Sequence, residues 1–278
     1  MPRNAEELVE VLALKECGPD RFEGALPRRT QLHRLYGGLM FAQSYLAAAR
    51  TTDPSYEVHS LHTTVISPGA IDVPMTYEIR NVRDGRNFAT RLVEGRQDDR
   101  LVLTGTFEFH RPEVGRGHQD AMPLDLPGPY ETPKRQPADP ANDEWGCMDF
   151  RRADGGAGEP EHGERPGWQR YWFRLNGDLG EDPVLQTAAL IYASDMSLMG
   201  AALAPHGLRA GDARTMIATL NHSMWFHHSH PVHEWWLYDQ HSPASAHGRG
   251  LSFASIFAAD GTLTTSVAQE AVLRPNAV

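Results

Sequence analysis

Ala188-Ala-Leu-Ile-Tyr-Ala-Ser-Asp-Met-Ser-Leu-Met-Gly-Ala-Ala-Leu203, read as a helix, has no face suited to water. Its one charged side chain is Asp195, and the residues three and four away from it are Ile191, Tyr192, Leu198 and Met199, an apolar stripe. An ionised carboxylate in such surroundings costs several kcal/mol unless something pairs with it. Asp195 is therefore either a functional group or a structural one bonded to backbone or water.

The pattern around this helix occurs twice. In the first half, a strand-like piece at Arg21-Phe-Glu-Gly24 leads into Tyr36-Gly-Gly-Leu-Met-Phe-Ala-Gln-Ser-Tyr-Leu-Ala-Ala-Ala49, an apolar helix opened by glycines. Strands follow, with Val73, Met75, Tyr77 and Ile79 alternating against more polar neighbours. In the second half, Trp168-Gln-Arg-Tyr-Trp-Phe-Arg174 precedes the Asp195 helix. Strand patterns then run through Met216 to Phe226, Trp235 to Asp239, Leu251 to Phe257 and Thr262 to Leu273. A shift of 163 aligns His59-Ser60 with His222-Ser223, Gly85-Arg86 with Gly248-Arg249, and Arg111-Pro112 with Arg274-Pro275, which points to duplication. The helices align at a shift of 152, with Gln43 opposite Asp195, so the second half carries eleven extra residues between helix and strand.

A helix packed on one face keeps a polar stripe, so two helices apolar all round imply sheets that curl about them. The expected fold is α+β: two tandem repeats, each a curled antiparallel sheet around a central helix, the form called a double hot dog. Residues 1–112 form the first repeat, 168–278 the second, and 113–167, rich in Pro, Gly and acidic residues, the connection. Single repeats of this kind pair, which the tandem chain makes internal; a homodimer or higher homo-oligomer through free sheet edges is expected as well.

With 278 residues and a net charge of −10, the chain lacks the basic field that attracts nucleic acid or an acidic membrane. Its N-terminal residues read as a short docking helix, because Glu6, Glu7 and Glu10 interrupt any signal-peptide core. No stretch reads as a convincing membrane span; the Asp195 run is the nearest. Cys17 and Cys147, far apart, support neither a disulfide framework nor a zinc site, and a cytoplasmic location is expected. The four imidazoles of Phe226-His-His-Ser-His-Pro-Val-His233 read as a loop rather than a metal site, so neither metal nor cofactor is expected. Neither cysteine lies in a nucleophile motif, and no Gly-x-Ser-x-Gly elbow is present.

Two further residues are candidates for the company of Asp195. On the last strand Gln269 shares the more apolar face with Leu263, Thr265, Val267, Ala271 and Leu273, and a buried amide there needs a partner. The carboxylate of a central helix is one candidate; a neighbouring strand or loop is another. Thr219 lies in a strand with two largely apolar faces, where Thr is also simply a good β-former. Hydroxyl, carboxylate and amide together would hold a water and aim it at a carbonyl.

Tyr192-Ala-Ser-Asp195, Ile217-Ala-Thr-Leu-Asn-His-Ser-Met-Trp-Phe-His227 and Val267-Ala-Gln-Glu-Ala-Val-Leu-Arg274 resemble the signature blocks of the type II acyl-CoA thioesterases, which are double hot-dog enzymes. Tyr36-Gly-Gly-Leu-Met-Phe-Ala-Gln43, His59-Ser-Leu-His62 and Arg83-Asp-Gly-Arg-Asn-Phe88 resemble first-half blocks of the same family. The resemblance departs at Ala271, where the family has Gly, and finds nothing matching the connection. It implies hydrolysis of fatty acyl-CoA to free fatty acid and CoA, with Asp195 as general base on a water held by Thr219 and Gln269. Gly37, Gly38, His59 and Arg86 are expected on the substrate, the two glycines as backbone donors to the oxyanion and Arg86 near coenzyme A phosphates. Close helix packing is the other reading of the glycines. Two alternatives stay open: a non-catalytic acyl-CoA binding protein, and a hot-dog enoyl-CoA hydratase. The latter usually has His five residues after its Asp, where this chain has Gly200.

Overall fold

The computed structural model describes residues 1–28, 30, 32–134, 145–153 and 165–275. The Gly-rich part of the expected connection, Asp154 to Pro160, lies outside the described residues.

Helix α2 (Gly37–Arg50) and helix α3 (Pro183–Ser194) are the two central helices. Ten residues of α2 are buried, and every residue of α3 from Ala188 to Ser194 is. Side chains such as Leu39, Phe41 and Ile191, fully removed from water, contribute about 1.5–3 kcal/mol each. The sheet around them, among the described residues, has twelve antiparallel strands. The first half supplies β1 (Leu14–Gly18), β2 (Arg21–Gly24), β3 (Glu57–Val65), β4 (Thr76–Asp84), β5 (Phe88–Gln97) and β6 (Arg100–His110). The second supplies β7 (Met148–Arg152), β8 (Trp168–Leu175), β9 (Thr215–Phe226), β10 (Trp236–Ala246), β11 (Arg249–Ala258) and β12 (Leu263–Pro275).

The strand order, β1-β2-β4-β5-β6-β3-β9-β12-β11-β10-β8-β7, reads as one half followed by its mirror. The halves join where β3 pairs with β9: Ser60 with Trp225, Leu61 with Met224, His62 with Ser223. Shifting Ser60 by 163 gives Ser223, and shifting His62 gives Trp225. The register is thus that of a pseudo-twofold axis through the Leu61 and Met224 pair. This is the double hot dog expected from the duplicated pattern. The largest apolar cluster among the described residues runs from Met1 to Val267, so the two halves share a core.

Two local features differ from the sequence expectation. The run Ala188–Leu203 is not one helix: α3 ends at Ser194, Asp195 is its C-cap, and α4 (Met199–Leu203) and a 3₁₀ turn (Ala204–His206) follow. Buried amides hold the intervening turn: Gln169 donates to Ser197 O at 2.7 Å and Gln240 to Ser197 Oγ at 2.6 Å. Within 113–167, Met148–Arg152 adds an edge strand beside β8. Pro183–His206 is long and apolar enough by composition to cross a membrane, with mean hydropathy 1.3, but 72% of that window is buried inside the fold.

The N-terminal helix α1 (Ala5–Leu12) docks as expected, burying Ala5, Leu8, Val11 and Leu12. Asn4 caps it by accepting from the Glu7 N–H, and its Ala5 N–H donates to Asn176 O in the second half.

Candidate active site

Asp195, Thr219 and Gln269 meet. The Thr219 hydroxyl donates to Asp195 Oδ1 at 3.1 Å, and Gln269 Nε2 donates to the same oxygen at 2.7 Å and to Thr219 Oγ1 at 2.9 Å. Each comes from a different element: the end of α3, β9 and β12. The other carboxylate oxygen, Oδ2, accepts the Gly38 N–H at 2.9 Å from the start of α2, so the first half also reaches the site.

Local structure explains the convergence. Gln269 lies on the buried face of β12 with Val267 and Ala271, the face its period predicts. Thr219 reaches the same interior through a β-bulge. The register between β9 and β12 passes from Asn221 opposite Glu270 to Thr219 opposite Ala271, leaving Leu220 unpaired. Strict alternation would send Thr219 and His222 to opposite faces; the extra residue lets both turn inward.

Burial pushes the Asp195 carboxyl up to about 6, while the hydrogen bonds from Thr219, Gly38 and Gln269 pull in the other direction. Asp195 nevertheless keeps partial contact with solvent. It is therefore a carboxylate that accepts a proton far more readily than an ordinary aspartate yet is ionised at neutral pH.

The glycines at the head of α2 permit the approach. A Cβ on Gly37 would lie 2.7 Å from Asp195 Oδ2, and one on Gly38 would lie 2.5 Å from the Tyr192 carbonyl oxygen. Tyr36 fixes the same junction by donating from its hydroxyl to Tyr192 O at 2.8 Å. Close packing is thus a demonstrated role of both glycines, with the helix of the other half as the neighbour. The Gly38 N–H is engaged by the carboxylate rather than free for an oxyanion.

His59 and Arg86 are placed elsewhere in the first half. His59 lies 4.0 Å from Glu108, and its ring meets Phe88 and His110 edge-on. Arg86 sits in the turn between β4 and β5, where its carbonyl accepts from the Tyr56 hydroxyl. Arg249, at the equivalent turn of the second half, pairs with Glu270 at 2.9 Å. In the His-rich loop, His227 bonds Ser266, while His230 Nε2 lies 3.4 Å from Glu234 and His233 Nδ1 lies 3.5 Å from Asp178.

The first-half counterpart of Asp195 is closed. Gln43 donates to Val11 O at 2.7 Å and Ala25 O at 2.8 Å and accepts the Tyr77 hydroxyl at 2.7 Å, and the backbone of Gly24 lies against it.

One participant was missed in the sequence. Buried His222 bonds Gln269 through Nδ1 at 3.0 Å and Ser194 through Nε2 at 2.8 Å. Its signal was its place in a repeated dipeptide, but the unseen bulge concealed the direction of its side chain.

Comparison with known proteins agrees with the fold. Residues 26–110 match the model for the acyl-CoA thioesterase N-terminal domain, and 124–273 match that for the C-terminal domain. The chain is 28% identical to acyl-CoA thioesterase 2 of Haemophilus influenzae over 277 residues, 96% of each protein. Among solved structures it resembles the acyl-CoA thioesterase II TesB2 of Mycobacterium marinum, with TM-score 0.84 and 34% identity over 97% of this chain and 99% of the other. A hot-dog protein of Alicyclobacillus acidocaldarius, 18% identical over 96% of this chain and 97% of its own with TM-score 0.78, shares the fold.

Proposed function

This chain belongs to the type II acyl-CoA thioesterase family and is a thioester hydrolase; from that premise we propose that Asp195, Thr219 and Gln269 are its catalytic residues. The observation that supports this most is their closed triangle of hydrogen bonds around a partly exposed carboxylate. A carboxylate offers about four acceptor positions. Protein donors fill three, leaving one on Oδ2 for a water. Both hydrogens of the Gln269 amide are spent on Asp195 and Thr219, so a water held among the three groups takes over one of those bonds.

In the proposed reaction the water oxygen attacks the thioester carbonyl carbon as its proton passes to Asp195. The tetrahedral intermediate then expels the coenzyme A thiolate, which recovers the proton as thiol and leaves the carboxylic acid. Gly37, first residue of α2, has an N–H that helix geometry leaves without an intrahelical partner, and we assign it to the oxyanion. His59 and Arg86 remain proposed substrate contacts outside this centre.

Of the alternatives, a non-catalytic binding protein is set aside by the family. The hydratase reading lacks its His: Gly200 stands at that position, and the end of the Gln169 side chain lies where a Cβ on it would point. A fatty acyl group, a cytoplasmic location and a homodimer or higher assembly are further parts of the proposal. The outermost strands of the sheet among the described residues, β1 and β7, support assembly, and Cys17 and Cys147, neither in a disulfide, fit a reducing compartment. Thiol release measured across acyl-CoA chain lengths tests the function. Thr219→Ala and Gln269→Ala are expected to lower kcat more than they raise KM, and unchanged kcat in both would contradict the assignment.

A further inference from the structure

We propose that His222 is a positioning residue, which holds the Gln269 amide with its NH₂ toward Asp195 and Thr219; this rests on the catalytic assignment above. The amide has two orientations of nearly equal shape, and only one presents donors to the carboxylate. With Asp195 ionised, the charge itself favours that orientation. Once Asp195 has taken a proton from water, it becomes a donor as well, and a flipped amide would accept from it. A second contact has to decide the orientation through that step.

His222 supplies it. Gln269 Oε1 can only accept, so the His222 Nδ1 that faces it at 3.0 Å carries the hydrogen. Burial, the larger influence, lowers the imidazole to about 4 despite the opposing effect of the Gln269 bond, which leaves it neutral near pH 7 with a lone pair on Nε2. Ser194 Oγ, 2.8 Å from Nε2, therefore donates its single hydrogen there rather than to the Ile191 carbonyl at 2.9 Å. The hydrogen bonds run in one direction, from Ser194 through His222 and Gln269 to Asp195, the residue that follows Ser194 in the chain.

The rest of the surroundings hold the ring still. Phe41 of α2 stacks on it with centroids 5.3 Å apart and planes 10° from parallel. The Thr63 hydroxyl of β3 donates to the His222 carbonyl at 2.9 Å, and the Tyr238 hydroxyl donates to the Ser194 carbonyl at 2.7 Å.

Leu and Asn are close in size, but only Asn can donate from near the Nδ1 position. Comparing His222→Leu with His222→Asn in the full-length protein thus separates the hydrogen bond from the cavity. His222→Leu is expected to lower kcat for acyl-CoA hydrolysis about 10- to 100-fold with KM little changed, and His222→Asn to restore most of it, at similar melting temperatures. Equal losses in both variants, or none in His222→Leu, would overturn the proposal. If Gln269→Ala retains full turnover, the catalytic assignment fails first and this inference with it; if Gln269→Ala is impaired but His222→Leu is not, this inference alone fails. Should the variants not fold, ¹⁵N spectra of the histidine-labelled wild type decide: a hydrogen on Nδ1 supports the proposal, and one on Nε2 overturns it.

Discussion

The Gly38 N–H, at the start of a helix in the first half, donates at 2.9 Å to Asp195 Oδ2, at the end of a helix in the second. Helix α2 has no side-chain cap of its own, since its N-cap is Tyr36, and the carboxylate of the opposite repeat takes that place. The start of α2 favours negative charge and the end of α3 disfavours it, so Asp195 lies between opposed helix ends. The first repeat has Gln43 where the second has this carboxylate, yet it supplies a donor that holds it.

The two glycines of this junction should therefore respond differently to a methyl group. Gly38→Ala drives a Cβ into the Tyr192 backbone carbonyl, which cannot rotate away, so a loss of about 1–3 kcal/mol in urea unfolding is expected together with lower kcat. In Gly37→Ala the obstacle is the end of the Asp195 side chain, so kcat is expected to fall with a smaller change in stability. Equal stability loss in both variants would show that the methyl at residue 37 meets something less yielding than a carboxylate.

Activity should depend on pH through the carboxyl raised to about 6. The base acts when ionised, so kcat/KM is expected to level off above this value and fall about tenfold per unit below it. Stability moves the opposite way. The folded protein keeps a proton that the unfolded chain releases near 3.8, so the associated stabilisation is fully present below 3.8 and lost as pH rises through about 6. Relative to Asp195→Asn, the wild type should lose about 2–3 kcal/mol across that window in unfolding experiments on either side of it. A pH-independent difference between the two proteins would contradict the shifted carboxyl.

Gln43 should prove structural. Removing its amide leaves the Val11 and Ala25 carbonyls and the Tyr77 hydroxyl without their partner and opens a cavity, at a cost of about 2–4 kcal/mol. Gln43→Ala is expected to melt earlier while keeping the wild-type kcat below its melting point. A kcat loss comparable to that of Gln269→Ala would indicate a second working centre.

The sequence disclosed the elements that repeat and the residues that violate their surroundings. Apolar helices around Gln43 and Asp195 predicted enclosing sheets, and the shift of 163 is realised as the pseudo-twofold relation of β3 and β9. Gln269 could be assigned a face because β12 alternates strictly from Thr265 to Ala271. Thr219 and His222 could not, because a bulge at Leu220 changes the phase between them and nothing in the residue types announces it. The break after Ser194 was hidden for a related reason: Met196 and Leu198 continue the apolar run on either side of Ser197, while the turn is held by Gln169 and Gln240, distant in the chain. Met148–Arg152 was concealed by its Pro- and Gly-rich neighbours.

The most direct test of the catalytic assignment is thiol release from an acyl-CoA by Asp195→Asn, a substitution that keeps the shape of the side chain and removes its basicity. The expected result is a folded protein, with wild-type circular dichroism and cooperative melting, whose kcat is reduced about 10²- to 10⁴-fold. A folded Asp195→Asn protein with wild-type turnover would contradict the account.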